Sequence, residues 1–315
     1  MWYATDAGAA SCVVYSGADT KTIRTFFRPR QALHRKDDRG VFVLVPDGDN
    51  SVSIWANSGT GWRSYFTWPK GTPNPMRGIR GIVDGRLFAF GYANCGIQLV
   101  DDVGAHCSGA AAEIADLSVV NANLAYAAYN DILLKYDGEL WTQLGGPLPF
   151  KDWGDAKGIW ADASTIVVTG SNGNVVMIKD EQTAVVLPEP IASNILTAWA
   201  FAANDIWIGT EGSELYHYDG SQWSLKASLP PGRGVTVVRL WGKDGHLLSN
   251  QLFAEWDGSQ LHNLLPAEAG PISFTDVWGN SPTEVFATGV GSDAQTGGCG
   301  AYQVWWYDGT VARPM

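Results

Sequence analysis

A chain of 315 residues with a formal net charge of −11 lacks the excess Lys and Arg that displace counterions from nucleic acid, so neither nucleic acid nor an anionic membrane surface is expected as a partner. Charged residues make up only 17% of the chain, against 37 glycines and 15 tryptophans, which points away from helices and toward many short strands joined by tight turns. No run of 18 apolar residues exists, so no membrane-spanning helix is expected, and residues 1–6 have neither the basic region nor the apolar core of a signal peptide.

Residues 1–5 (Met-Trp-Tyr-Ala-Thr) open a series of short apolar runs, each entered from a turn. The series continues at 40–45, 86–91, 124–129, 165–170, 205–210, 246–249 and 284–289, with successive starts 38 to 46 residues apart. A period near 40 with several short strands per unit is the sequence signature of an all-β fold, the β-propeller. Eight occurrences predict eight four-stranded blades in one propeller domain spanning 1–315. The first blade would be incomplete, with 1–5, 11–17 and 22–27 as its second, third and fourth strands. Seven blades is the competing count; it requires the N-terminal strands to complete the last unit or to pack as an extension.

Within a unit, the first strand carries a tryptophan in the later copies (Trp160, Trp199, Trp241, Trp278). The third strand ends in an aromatic–Asp–Gly step at 136–138, 218–220, 256–258 and 307–309, and the fourth often opens on tryptophan (Trp62, Trp141, Trp223). Tryptophans at repeat-matched positions are read as packing between blades, because repetition is what blade packing demands. Asp47-Gly48-Asp49-Asn50 comes closest to a calcium loop, but Asp-Gly between two strands is hairpin-turn chemistry.

Four cysteines, none in a C-x-x-C pair, suit two disulfides and an oxidising compartment better than a metal site. Cys95 and Cys107 flank one third strand, so a local bridge is expected there. Cys12 and Cys299 lie near the start of the third strand in the first and last units; a bridge between them would fasten the closed ring. Five histidines show no metal-ligand spacing, and no phosphate loop, dinucleotide fingerprint or nucleophile elbow is present. The sequence thus singles out no metal, no cofactor and no catalytic residue.

Candidate ligand residues are those outside the repeat grammar. Trp68 and Trp153 fall in connections between units, near Lys70 and Lys151. Arg77, Arg80 and Arg233 lie in or beside such connections and could hold a carboxylate-bearing ligand in two-pronged fashion. The long loops at 68–77, 145–156, 229–234 and 290–300 place the expected binding surface on the face bearing the inter-unit connections and the loops between second and third strands.

Residues 277–289 (Val-Trp-Gly-Asn-Ser-Pro-Thr-Glu-Val-Phe-Ala-Thr-Gly), followed by Trp306-Tyr307-Asp308-Gly309, resemble the repeats of secreted and cell-surface bacterial β-propeller proteins. The resemblance implies a propeller with a secreted, periplasmic or cell-surface location and no particular enzyme activity. The expectation is a non-catalytic binding or scaffold propeller whose partner is a carbohydrate or a protein. The alternatives are a polysaccharide-active enzyme with a carboxylate pair at the central channel, and a structural subunit of a larger surface assembly.

Overall fold

A computed structural model describes residues 5–6, 9–10, 31–34, 41–46, 52–57, 61–69, 76–83, 86–91, 95–109, 113–152, 154–188, 192–228, 239–249, 253–269, 272–291 and 301–315. The described residues form seven four-stranded sheets, each an antiparallel meander of strands consecutive in sequence. They span 31–67, 76–109, 116–143, 156–186, 195–228, 240–263 and 272–314, and are called blades 1 to 7 in that order. The second strands fall where the apolar runs predict them, for example Arg86–Gly91, Leu124–Tyr129 and Asp205–Thr210. The described residues also include a 3₁₀ turn, Ala267–Ala269.

The blade count is therefore seven, the competing number, and not eight. Blade 7 is complete from its own four strands, and its first strand, Ile272–Ser281, packs against the first strand of blade 1, Gln31–His34. That contact closes the ring and leaves no gap for an eighth sheet. Of the proposed N-terminal unit, the described part is a two-residue pairing of Thr5–Asp6 with Ala9–Ala10. Neither blade 1 nor blade 7 borrows a described strand from the other, so closure rests on side-chain packing. Phe286 of blade 7 is buried with Val41 and Val43 of blade 1, with Trp55, Trp62, Trp278 and Trp306 packed around them. Six further apolar clusters fill the six other interfaces between neighbouring blades. Each sheet is thus covered on both faces, which is why its strands are apolar throughout.

The repeated phrases have local causes. In Trp241-Gly242 and Trp278-Gly279 the glycine makes room for the tryptophan of the preceding blade. A Cβ on Gly242 would meet Trp199 at 2.6 Å, and one on Gly279 would meet Trp241 at 2.9 Å. The indoles form a staircase around the axis, Trp160 to Trp199 at 6.2 Å and Trp199 to Trp241 at 6.3 Å between ring centres. The Asp-Gly steps are turns: Asp137, Asp219, Asp257 and Asp308 each accept the backbone N–H groups two and three residues on. The glycine that follows each takes a positive φ, between 90° and 105°. Residues 47–50 lie outside the described residues.

Cys95 and Cys107 form the expected disulfide, with Cα atoms 5.7 Å apart, across the hairpin of blade 2's outer two strands. Cys12 and Cys299, and the insertion at 292–300, lie outside the described residues.

Candidate functional site: a polar cavity at the axis

The first strand of each blade lines the axis, and in four blades it carries a β-bulge at the same place. Arg77, Lys157, Leu196 and Thr275 are the extra residues, skipped in the pairing of Met76–Gly78, Ala156–Gly158, Ile195–Thr197 and Phe274–Asp276 with their second strands. A bulge bends the strand and re-aims the extra side chain. Here all four line one cavity of about 530 Å³, joined by Ala115 from just before blade 3's first strand. Asn130, on the loop between second and third strands of blade 3, lines it too, as do Glu113 and Asp155 in inter-blade connections. The cavity therefore opens on the face that the long loops pointed to.

Below the bulges lies a floor of charge. The residue after each bulge position is Gly78, Gly158, Thr197 or Asp276, and the matching residues of blades 3 and 6 are Asp116 and Arg239. Asp116 and Asp276 are 2% exposed. The Arg239 guanidinium crosses the axis from blade 6 to donate to Asp116 of blade 3 at 2.6 Å, and its Nε lies 3.7 Å from Asp276. Arg80 of blade 2 approaches the same two carboxylates, at 3.5 Å from Asp116 and 3.8 Å from Asp276. Asp116 Oδ2 also accepts the Ile159 N–H of blade 4 at 3.4 Å. Two buried cations and two buried anions compensate one another, as buried charge requires.

This compensation sets the protonation states. Burial alone would raise the Asp116 carboxyl, but Arg239 and Arg80, the Arg239 hydrogen bond and the Leu117 N–H outweigh it and hold it below the usual carboxylate range. Burial also pulls Arg239 down, and Asp116 and Asp276 more than restore it. Arg80 is lowered by burial and by Arg239, against the two carboxylates.

One layer further along the strands comes the tryptophan staircase. In blade 2 its position is held by Arg80 and in blade 3 by Ser118, whose hydroxyl accepts the Ala161 N–H of blade 4 at 3.1 Å. Thr197 does the same for the Leu240 N–H of blade 6 at 3.3 Å. Side-chain oxygens thus satisfy N–H groups on the axial edge of each neighbouring sheet.

The structure distributes the sequence-derived candidates unevenly. Arg77 lines the cavity, 3.8 Å from Glu113. Arg80 belongs to a strand, Met76–Val83, and to the floor rather than to a connection. Lys151 is exposed in the connection to blade 4, its backbone bonded at both ends to the Asn174 side chain. Trp68 is 5% exposed, packed in the cluster between blades 1 and 2, and its indole N–H donates to Gln98 at 2.9 Å. Lys70, Trp153 and Arg233 lie outside the described residues. Three histidines have separate partners: His217 bonds Asp205 and stacks on Trp207, His246 bonds Glu255, and His262 bonds Asp257. Among the described residues no group of His, Cys, Asp and Glu could hold a metal ion.

Sequence reading missed Asp116, Lys157, Arg239 and Asp276. The one available signal was the column two residues before the first-strand tryptophan, which reads Gly158, Thr197, Arg239, Asp276 and changes chemistry in every blade while the tryptophan repeats.

Fold and site together define a seven-bladed β-propeller with a polar axial cavity on its connection face. No protein-family model matches the sequence, and no curated protein matches it. The structure is similar to the extracellular domain of a putative one-component system from B. thetaiotaomicron, with TM-score 0.63, 14% identity, and coverage of 93% of this chain but 39% of that one. It is similar to the computationally designed Ika8 protein, with TM-score 0.57, 13% identity and coverage of 91% and 85%. It is also similar to YCF48 bound to D1 peptide, with TM-score 0.52, 12% identity and coverage of 92% and 82%. At such identities the likeness is one of fold.

Proposed function

We propose that the protein is a non-catalytic, exported binding propeller that takes a carbohydrate in the axial cavity. One observation carries the reading. The bulge residues that wall the cavity, Arg77, Lys157, Leu196 and Thr275, do not form a repeat, while the first-strand tryptophans Trp160, Trp199, Trp241 and Trp278 do. A frame that repeats and a wall that does not is what a binding site grafted on a propeller requires. The volume suits a small ligand, and Asn130, Thr275, Asp155 and Glu113 offer partners for hydroxyl groups.

The polysaccharide-active alternative needs one carboxyl group kept protonated to act as general acid. The two buried carboxylates on this axis, Asp116 and Asp276, are clamped by two guanidiniums, and Asp116 is driven toward the ionised form. The Cys95–Cys107 disulfide favours export, since such bonds persist in oxidising compartments. Lys151, exposed in the connection entering blade 4, is kept as a candidate ligand contact; so are Trp153, as a stacking surface for a sugar ring, and Lys70 and Arg233, which lie outside the described residues.

A glycan array probed with the purified protein should show saturable binding, and incubation with the bound polysaccharide should release no new reducing ends. Release of reducing ends that Asp116→Asn abolishes would overturn the non-catalytic reading. An array with no saturable signal, from a protein that instead co-purifies in a defined assembly, would favour the structural-subunit role.

A further inference from the structure

The wall of the cavity carries two cations, Arg77 and Lys157, and two carboxylates, Glu113 and Asp155. Arg239 is engaged by both Asp116 and Asp276, so the floor is neutral by itself. On the wall, Arg77 shares a loose pair with Glu113 at 3.8 Å, both side chains substantially exposed. Lys157 is different. It is the extra residue of blade 4's bulge, half-buried, and among the described residues it has no ion-pair partner. The rest of the wall supplies hydrogen-bonding groups of the kind that meet hydroxyls: the Asn130 amide, the exposed Asp155 carboxylate, and the Thr275 hydroxyl, which bonds Thr288 and offers a ligand its remaining acceptor capacity. With Arg77 paired to Glu113, the half-buried Lys157 ammonium is the cation of the wall that an anionic group of a ligand can meet.

Resting on the reading that the cavity binds carbohydrate, we infer that its ligand is a carboxylate-bearing sugar, a hexuronate residue. Its carboxylate sits on Lys157 with Arg77 beside it, and its hydroxyls are met by Asn130, Asp155 and Thr275. A charge-assisted bond to a half-buried ammonium separates a uronate from the hexose of the same shape, which offers only a neutral hydroxymethyl group there. Lys157 is the specificity-determining residue, and Arg77 the supporting one.

The test is calorimetric titration of the full chain with D-glucuronate, D-galacturonate, D-mannuronate and L-guluronate, each against its neutral hexose, at low and high salt. At least one uronate should bind about tenfold or more tighter than its hexose, the size of one charge-assisted bond. High salt should shrink that preference. Lys157→Met keeps the aliphatic stem and should lose the preference with an unchanged thermal midpoint; Lys157→Arg should retain it. The inference is overturned if no uronate outbinds its hexose, or if the preference survives Lys157→Met. It also falls if a short peptide with a free α-carboxylate displaces the uronate with higher affinity. Glycan-array binding without any preference for uronates would defeat this inference and leave the carbohydrate-binding reading standing; the absence of binding to any glycan would defeat both.

Discussion

Asp116 joins the cavity floor to the scaffold. Its carboxylate receives Arg239 from across the ring, Arg80 from the neighbouring blade, and the Ile159 N–H of the next. Removing it would leave buried guanidiniums short of a counter-charge. Asp116→Ala should therefore cost about 3–5 kcal/mol in urea unfolding, the penalty typical of breaking a buried pair from one side. An isosteric Asp116→Asn should also destabilise, because it keeps the shape and removes the charge. The direction of the pH effect follows from the depressed carboxyl. Stability owed to it is fully present above the unfolded-state value near 4 and is lost as the pH falls through its lower folded value. The turn aspartates act in the same sense: Asp219 is held at about 2, chiefly by the Gln222 N–H and the Ser221 hydroxyl. Thermal midpoints should hold from pH 7 to about pH 5 and fall steeply below about pH 4. A midpoint that rose on acidification would contradict the assignment of these groups as native-state carboxylates.

Residues of the site were the least legible part of the sequence. Trp68 looked like a ligand platform because it stands outside the repeat, yet it is buried and its N–H is satisfied by Gln98. Arg80, which the sequence puts in or beside a connection, occupies the strand position that tryptophan holds in later blades. Chemistry alone cannot show which arginine reaches an axis, since that depends on strand register summed over distant blades.

At the scale of elements, the bulge is the device that makes the cavity. Without it, Lys157 and Arg77 would sit in regular alternation and belong to an inter-blade face. Bulges have no fixed residue signature in these strands, so nothing in the sequence announced them. The turns and the tryptophan steps were legible because a single residue type explains each. Gly242 has a definite role in the staircase, and Gly242→Leu should cost about 1–3 kcal/mol through overpacking against Trp199 and Phe201. The Trp199 indole N–H is already buried without a hydrogen-bond partner among the described residues, so this layer has little room to relax. The Cys95–Cys107 bridge closes a hairpin of sequence separation 12, and its reduction should remove about 3 kcal/mol of stability by the chain-entropy estimate. Denaturant titrations with and without reductant, monitored by tryptophan fluorescence, measure that difference directly.

For the whole molecule, period and composition were enough to read a propeller, because each blade needs the same short strands, turns and large aromatic at the same spacing. The number of blades was harder. The N-terminal runs mimic a second, third and fourth strand, and only the contact between blades 7 and 1 shows that the ring closes at seven. That closure uses packing around Phe286, Val41 and Val43 in place of a shared strand. Four axial charges from blades 2, 3, 6 and 7 also tie the ring across its centre. The same arrangement sets four charged side chains across the axis beneath the cavity.

The central claim is that the proposed ligand sits in this axial cavity. Leu196 lines it without belonging to any inter-blade apolar cluster, so Leu196→Trp fills space at little structural cost. The decisive measurement compares glycan-array binding by the wild-type protein and by Leu196→Trp, with thermal midpoints as the check on folding. The account predicts saturable binding by the wild type that is lost in a variant as stable as its parent. Equal binding by both proteins would place the ligand elsewhere and contradict it.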